Sequence, residues 1–474
     1  MSKLETGLHY PLTLDALPPN WQVGYVGDFA DEIQPGFASG KHNKEGAGIP
    51  HIRPYNIDRQ GKLDLSEIKS VAPDSDAKRL KTDDVLFNNT NSPELIGKTA
   101  VIASAGDWGF SNHMTRIRFK DDVAPKFAAY QLHFLWMTGY YLHNCVKHVN
   151  QASISSKTLA NAVPFIAPPL DQQKRIVVEI EKQFSRLDEA IANLKRVKAN
   201  LKRYQAAVLK AAVEGRLVET EAELARREGR SYETGERLLH RILETRRRQW
   251  QGKGKYKEPA APDTTDLPEL PVGWVWACAE QLSDFVTKGT TPSADKLSEQ
   301  VGDVQFLKVY NLTFDGALDH AYKPAFVSRT THEVELARSK VRSGDVLMNI
   351  VGPPLGQVSI VPPTLREANI NQAIARYRPV APITSTFFAL LLKTEDVVRW
   401  ATSRAKTTAG QSNLTLELCR ALPLPLPPLP EQHRVVAEVD RRLSLLRDTE
   451  AQVDANLRRA GRLRQSILSK AFSA

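Results

Sequence analysis

The stretch PPLDQQKRIVVEI at residues 168–180 is answered by PPLPEQHRVVAEV at 427–439, and this echo decides how the whole chain divides. Working outward, HIRPYNIDRQG (51–61) answers FLKVYNLTFDG (306–316), DDVLFNNT (83–90) answers GDVLMNIV (344–351), and LIGKTAVI (95–102) answers PLGQVSIV (354–361). SNH (111–113) pairs with INQ (370–372), QASIS (151–155) with QSNLT (411–415), and LPPNWQVGYVGDFADEIQPG (17–36) with LPVGWVWACAEQLSDFVTKG (270–289). The offset stays between 253 and 261 residues throughout, so the chain is an internal repeat of two long copies.

Each copy has the same grammar. Short β-rich runs such as VLFNN, TAVIAS and QVSIVPP are separated by Gly, Pro, Asn and Asp clusters, the pattern of strands joined by turns. A shorter helical stretch follows, and a Pro-rich stop (PFIAPPL; PLPLPPLP) then opens a long periodic segment. Proline suits a helix start, where the first N–H groups have no intrahelical acceptor. Ile180, Phe184, Leu187, Ile191, Leu194, Leu201 and Val208 recur in alternating three- and four-residue steps, with the steps at Lys198 and Gln205 left polar. Val439, Leu443, Leu446, Val453, Leu457, Ala460 and Ile467 do likewise. A sustained 3.5-residue stripe is the coiled-coil pattern. A helix of about 44 residues is ~66 Å long, and a stripe of that length is best buried by its own copy; packing on the neighbouring domain is the alternative. Gly215 is placed to stop the first helix. Residues 216–258 have no counterpart; TEAELARRE and ERLLHRILETRRRQW read as helices before an extended linker. Arg246, Arg247 and Arg248 there are open to phosphate contact, protein contact or solvent.

The 474 residues carry 64 Lys+Arg against 54 Asp+Glu, net +10. That excess invites a polyanion partner, but its location qualifies the reading. Residues 1–170 are net 0 and 259–430 net −1, while 171–215, 216–258 and 431–474 are +4, +4 and +3. Cys145, Cys278 and Cys419 are too far apart for a disulfide framework or a cysteine zinc site, and suit a reducing cytosol. No run approaches the ~20 apolar residues of a membrane span, and the N-terminus lacks the layout of a signal peptide. These features lead us to expect a soluble intracellular protein.

Catalytic motifs are wanting. GFASGKH (36–42) has three residues between its glycines and His42 after Lys41, where a phosphate loop needs four and a hydroxyl. Asp74 and Asp76 in PDSDAK are too close to bring two strands' carboxylates onto one metal and read as a polar turn. His143 and His148 are five apart, off the i,i+4 face of a helical zinc pair. No Asn/Asp-Pro-Pro-aromatic methyltransferase motif occurs. The expectation is a chain with no catalytic centre, metal or cofactor of its own.

The loops are instead amide-rich and locally basic. Asn and Gln can pair with adenine edges, Arg and Lys with guanine, and both kinds with phosphate. Candidate DNA contacts in the first copy are Lys41, His42, Asn43, Lys44, Arg53, Asn56, Asn88, Asn91, Lys98, Asn112, Lys147 and Gln151. In the second they are Lys288, Thr290, Lys308, Asn311, Asn349, Gln357, Asn371, Gln372, Lys406, Gln411 and Asn413. Each has the alternative of an ordinary turn residue. Trp21 and Trp274 are expected to be core anchors.

The LP-x-x-W openings (LPPNW, LPVGW), the D-V-L strands (DDVLF, GDVLM) and the Pro-rich stretches before each long helix resemble the specificity subunit of type I restriction-modification systems, over nearly the whole chain. The resemblance implies an α+β fold of two similar target-recognition domains, each followed by a long helix, the helices pairing as an antiparallel coiled coil with pseudo-twofold symmetry. The expected boundaries are a first domain at 1–170, its helix at 171–215, a helical insert and linker at 216–270, a second domain at 271–430 and its helix at 431–474. The implied role is non-catalytic. Each half would read one part of a bipartite, asymmetric double-stranded DNA target, with the helices setting the spacer and docking two modification (methyltransferase) subunits. Whether restriction (translocase/nuclease) subunits join is left open. S-adenosylmethionine, ATP and Mg²⁺ would belong to those partners, and the setting would be a prokaryotic cytoplasm. Two alternatives stay open: a coiled-coil interaction protein that binds no DNA, and an autonomous DNA-modifying enzyme.

Overall fold

A computed structural model describes residues 5–39, 42–72, 78–104, 106–251, 254–352, 355–408 and 411–473. Asp74 and Asp76 lie outside the described residues. Two compact units emerge, residues 1–197 with 452–474 and residues 198–451. The boundary cuts both long helices, Leu170–Val213 and Leu429–Phe472, so each unit owns a part of each.

The repeat in sequence is a repeat in topology. In the first unit Gln22–Tyr25 pairs antiparallel with Pro164–Ala167, joining the domain's opening strand to the last strand before the helix. Val275–Cys278 and Pro423–Leu426 do the same in the second. One four-stranded sheet runs Ala30–Pro35, Met114–Phe119, Val85–Asn88, Thr99–Val101. Its counterpart runs Thr287–Lys288, Ile374–Tyr377, Val346–Asn349, Val358–Ile360. The aspartate of each D-V-L motif has a structural reason. Asp84 Oδ1 accepts from Arg118 Nε and Asp345 Oδ1 from Arg378 Nε, both at 2.7 Å, while each Oδ2 accepts the N–H of Lys81 or Arg342. Both carboxylates are buried, where an ion must be paired. Those hydrogen bonds raise the pKa of both guanidiniums.

Trp21 and Trp274 are buried anchors. Ile180 and Phe184 join the first unit's core together with Leu468 and Phe472 from the far end of the second helix. Val208 joins the second unit's core with Val435 and Val439. The long helices run antiparallel: Asp188 meets Arg464, and the polar step Lys198 meets Glu450 at 3.7 Å. Of the stripe, Ile180, Phe184, Leu187, Val208, Val439 and Val453 are buried, and Ile191, Leu194, Leu201, Leu443, Leu446, Leu457 and Ile467 are half-buried. Gly215, at φ +68°, closes the first helix, with the Arg216 N–H donating back to Ala211 O.

The insert forms helices Glu221–Glu228 and Gly235–Arg248, capped by Thr220 and Thr234, and buries Leu238 and Ile242 in the second unit's core. Arg246 donates to Glu280 O and Gln281 O, and Arg247 pairs with Glu258 at 2.8 Å, so two arginines of that run are protein contacts. Among the described residues no helix is long and apolar enough to cross a membrane.

Candidate nucleic-acid interface

In each unit a strand ends in a short 3-10 turn held by a buried asparagine. The first strand is Ile49–Ile52 and its turn Pro54–Asn56; the second is Val304–Leu307 with Val309–Asn311. Asn56 Oδ1 accepts the Arg53 N–H at 2.9 Å, and its Nδ2 donates to Asp64 O and Glu67 O at 2.9 Å each. Asn311 repeats the pattern: it accepts from Lys308 N–H and donates to Asp319 O and Tyr322 O, all at 2.8 Å. An amide supplies one acceptor and two donors at one point, and such a turn needs all three.

A second residue braces each turn from below. Lys98 Nζ donates to Pro54 O at 3.2 Å and to Ile57 O. At the equivalent position Gln357 Nε2 donates to Leu312 O at 3.3 Å. Under these, Asn88 Nδ2 donates to Leu95 O at 2.9 Å, and Asn349 Oδ1 accepts the Gln357 N–H at 2.7 Å. Burial lowers the Lys98 pKa.

This corrects part of the expected contact set. Asn56, Asn88, Lys98, Asn311 and Asn349 are buried, and each makes a side-chain hydrogen bond to the backbone of these turns or of the strand connections beneath them. Gln357 is half-buried in the same role. Asn43 is also turned inward, closing its loop through Ala47 O and the Ala47 N–H at 2.9 and 3.0 Å.

Other expected residues do converge. Arg53, Asn91, Asn112 and Gln151 line one cleft of about 970 Å³, with Lys98 at its base. Asn91 sits on Thr90–Asn91, in a three-stranded sheet with Ala152–Ser153 and Val146–Lys147, which presents Lys147 exposed. Arg53 Nη2 lies 2.9 Å from Nδ1 of the exposed His42. Lys44 is spent on Glu67 at 3.2 Å. Lys41 lies outside the described residues.

In the second unit Val351–Gly352, Gln411–Asn413 and Lys406–Thr408 form the matching three-stranded sheet. Lys288, Gln372 and Lys406 are exposed, while Thr290, Lys308, Asn371 and Asn413 are half-buried; the Gln411 side chain lies outside the described residues. Gln372 accepts from Thr291 Oγ1.

The cleft also takes Ser39, His51, Tyr55, Arg59, Thr90, Ser92 and Asn150, which sequence reasoning missed. Tyr55 had a signal, since YN recurs at Tyr310–Asn311 in the aligned copy. His51 had none: it is buried beside Phe37, and burial with the Arg53 charge lowers its pKa to about 4. Elsewhere His332, Glu333 and Glu367 gather possible ligand atoms within 4.8 Å. Those carboxylates already carry Lys340 and Arg329, and His332 Nδ1 lies 2.6 Å from Asn369 Oδ1.

Residues 18–203 match the family described as the type I restriction modification DNA specificity domain. Among characterised relatives, the type I restriction enzyme EcoBI specificity subunit of Escherichia coli is 28% identical over 338 residues, 69% of this chain and 60% of that protein. The chain thus spans about 60% of that relative's length. The EcoKI specificity subunit of E. coli strain K12 is 21% identical over 90% of this chain and 82% of its own. Of solved structures, one from work on the assembly and conformational transition of the type I R-M system superposes with a TM-score of 0.66 at 17% identity, covering 96% of this chain and 98% of the other. The HsdS subunit from Thermoanaerobacter tengcongensis gives 0.54 at 16% identity, covering 97% and 98%. At such identities these two structures speak to the fold.

Proposed function

We propose that this chain is a type I restriction-modification DNA specificity subunit, a reading supported by the family match over residues 18–203 and by the specificity subunits among its relatives. It is a non-catalytic subunit acting in the cytoplasm. Each half recognises one part of a bipartite, asymmetric double-stranded DNA target, and the antiparallel long helices set the unread spacer and dock two modification subunits. The working parts are residues 1–170 and 271–430 as readers, 171–215 and 431–474 as spacer, and 216–270 as insert and linker.

The observation that carries this reading is the braced turn built twice. The anchors Asn56 and Asn311 make the same three bonds, yet the side chains they hold out differ, Arg53 in one copy and Lys308 in the other. A common scaffold with unlike tips suits two unlike half-sites. The near-neutral charge of the two readers implies weak DNA binding alone, because phosphate neutralisation supplies much of such affinity; the modification subunits would complete the grip.

The test is a methylome. The chain is co-expressed with its modification subunit in a methylation-free host, and methylated adenines are mapped. A split motif modified on both strands, and lost when this chain is omitted, is the expected result. A stable complex that leaves the genome unmethylated would overturn the reading in favour of an interaction protein.

A further inference from the structure

Most strand arginines of the readers are consumed internally. Arg116 pairs with Glu32 at 2.5 Å, and Arg118 and Arg378 are held by Asp84 and Asp345. Arg53 is different. Its backbone N–H is fixed by Asn56, and Lys98 holds the carbonyls beneath it. Its guanidinium lines the cleft with the exposed Tyr55. Among the described residues no carboxylate lies within 4.0 Å of Arg53, and its buried Nε has no hydrogen-bond partner. The guanidinium's Nη2 lies 2.9 Å from Nδ1 and its Nη1 3.5 Å from Nε2 of the exposed His42. Such a cation, on a rigid backbone and without a counter-ion, is prepared for a ligand that supplies acceptors.

The second copy says what kind of position this is. Lys308 occupies the equivalent place on the equivalent scaffold, beside the exposed Tyr310. A residue needed to neutralise phosphate could be either cation in both copies. Base reading distinguishes them, because the planar fork of Arg matches guanine O6 and N7 bidentately whereas Lys is a point charge.

We propose that Arg53 reads a guanine in the half-site bound by the first domain, with Lys308 as the corresponding reader in the second. This rests on the DNA-specificity reading above. The motif methylated by the complex is compared among the unaltered chain, Arg53→Ala, Arg53→Lys and Lys308→Ala. Arg53→Ala should reduce discrimination at one G·C pair of one half-site about ten- to a hundredfold, leaving the other half-site and the spacer intact. Lys308→Ala should act only on the other half. If Arg53→Ala fails to assemble, Arg53→Lys decides: it keeps the charge and loses the fork, so discrimination at the same pair should weaken. An unchanged motif from an assembled Arg53 variant overturns the inference. So does a uniform loss at all sites with a shallower salt dependence, which is the behaviour of a phosphate contact. Absence of any split motif with the unaltered chain overturns the specificity reading itself, and is told apart because no variant is involved.

Discussion

The guanidinium of Arg464 lies 4.3 Å from the ring centroid of Phe184 and pairs with Asp188, inside the stripe that joins the two long helices. It occupies the step between Ala460 and Ile467, where an apolar residue would be the ordinary choice. Only 7% of its side chain is exposed, so the stacking acts with little water, while Asp188 is half-exposed and also meets Lys62 at 2.8 Å. A desolvated cation–π contact contributes about 2 kcal/mol, and an ion pair with one half-exposed partner adds up to about 1 kcal/mol. Arg464→Ala should therefore destabilise the first unit by roughly 2–3 kcal/mol, and Arg464→Lys by less. Denaturant midpoints of the three chains check this; a change below ~0.5 kcal/mol would mean that Phe184 packs as well without the cation.

That residue also shows where sequence reading stopped. The seven aligned motifs announced the repeated strand topology and both long helices, because apolar period and turn residues are properties of the local chain. The pattern could not mark Arg464 as buried, since arginine is almost always exposed unless paired, and Asp188 is 276 residues away. The same limit explains Asn56, Asn88 and Lys98. Their residue types suit DNA contacts, but the direction of a side chain is set by backbone carbonyls that only the fold brings near, such as Glu67 O for Asn56 and Pro54 O for Lys98. Arg53 and Asn91, which the fold brings to one cleft, sit at the ends of strands, beside turns that the sequence announces.

His133 supplies a pH dependence with a definite sign. It is buried, with Nδ1 accepting the Thr99 N–H at 3.3 Å and Nε2 lying 3.3 Å from Arg59 O, and burial lowers its pKa to about 4. The folded value is below the ordinary ~6.5, so the unfolded chain takes up the proton first. Stability is full above that value and is lost as pH falls towards 4, at about 1.4 kcal/mol per pH unit. His133→Gln should flatten the slope of stability against pH between 6 and 4.5 by that amount relative to the unaltered chain. Parallel slopes would show that the imidazole is not held neutral.

Asn56→Ala removes three hydrogen bonds at once and leaves two carbonyls and one N–H without partners. The expected cost is about 2–4 kcal/mol, with the turn carrying Arg53 loosened. Asn56→Asp keeps the acceptor but turns a buried carboxylate oxygen onto the Asp64 and Glu67 carbonyls, so it should cost at least as much as the alanine. Because Asn311 anchors a separate turn, Asn311→Ala should give the mirror result, with each variant degrading one half-site in the methylome and sparing the other. Degradation of both half-sites by either variant would show that the two turns are not independent readers.

The spacer role is tested by length. Inserting one heptad into each long helix at matched positions keeps the apolar stripe in register, since the pattern repeats every seven residues. Seven residues add about 10.5 Å at 1.5 Å each. DNA rises ~3.4 Å per base pair, so the unread spacer should widen by about three base pairs with both half-sites unchanged. Inserting two residues instead turns the stripe by about 200°, away from its partner, and should reduce assembly. If the heptad chain assembles and methylates the original spacing, the helices do not act as the ruler. If the half-sites change while the spacer does not, base reading extends onto the helices.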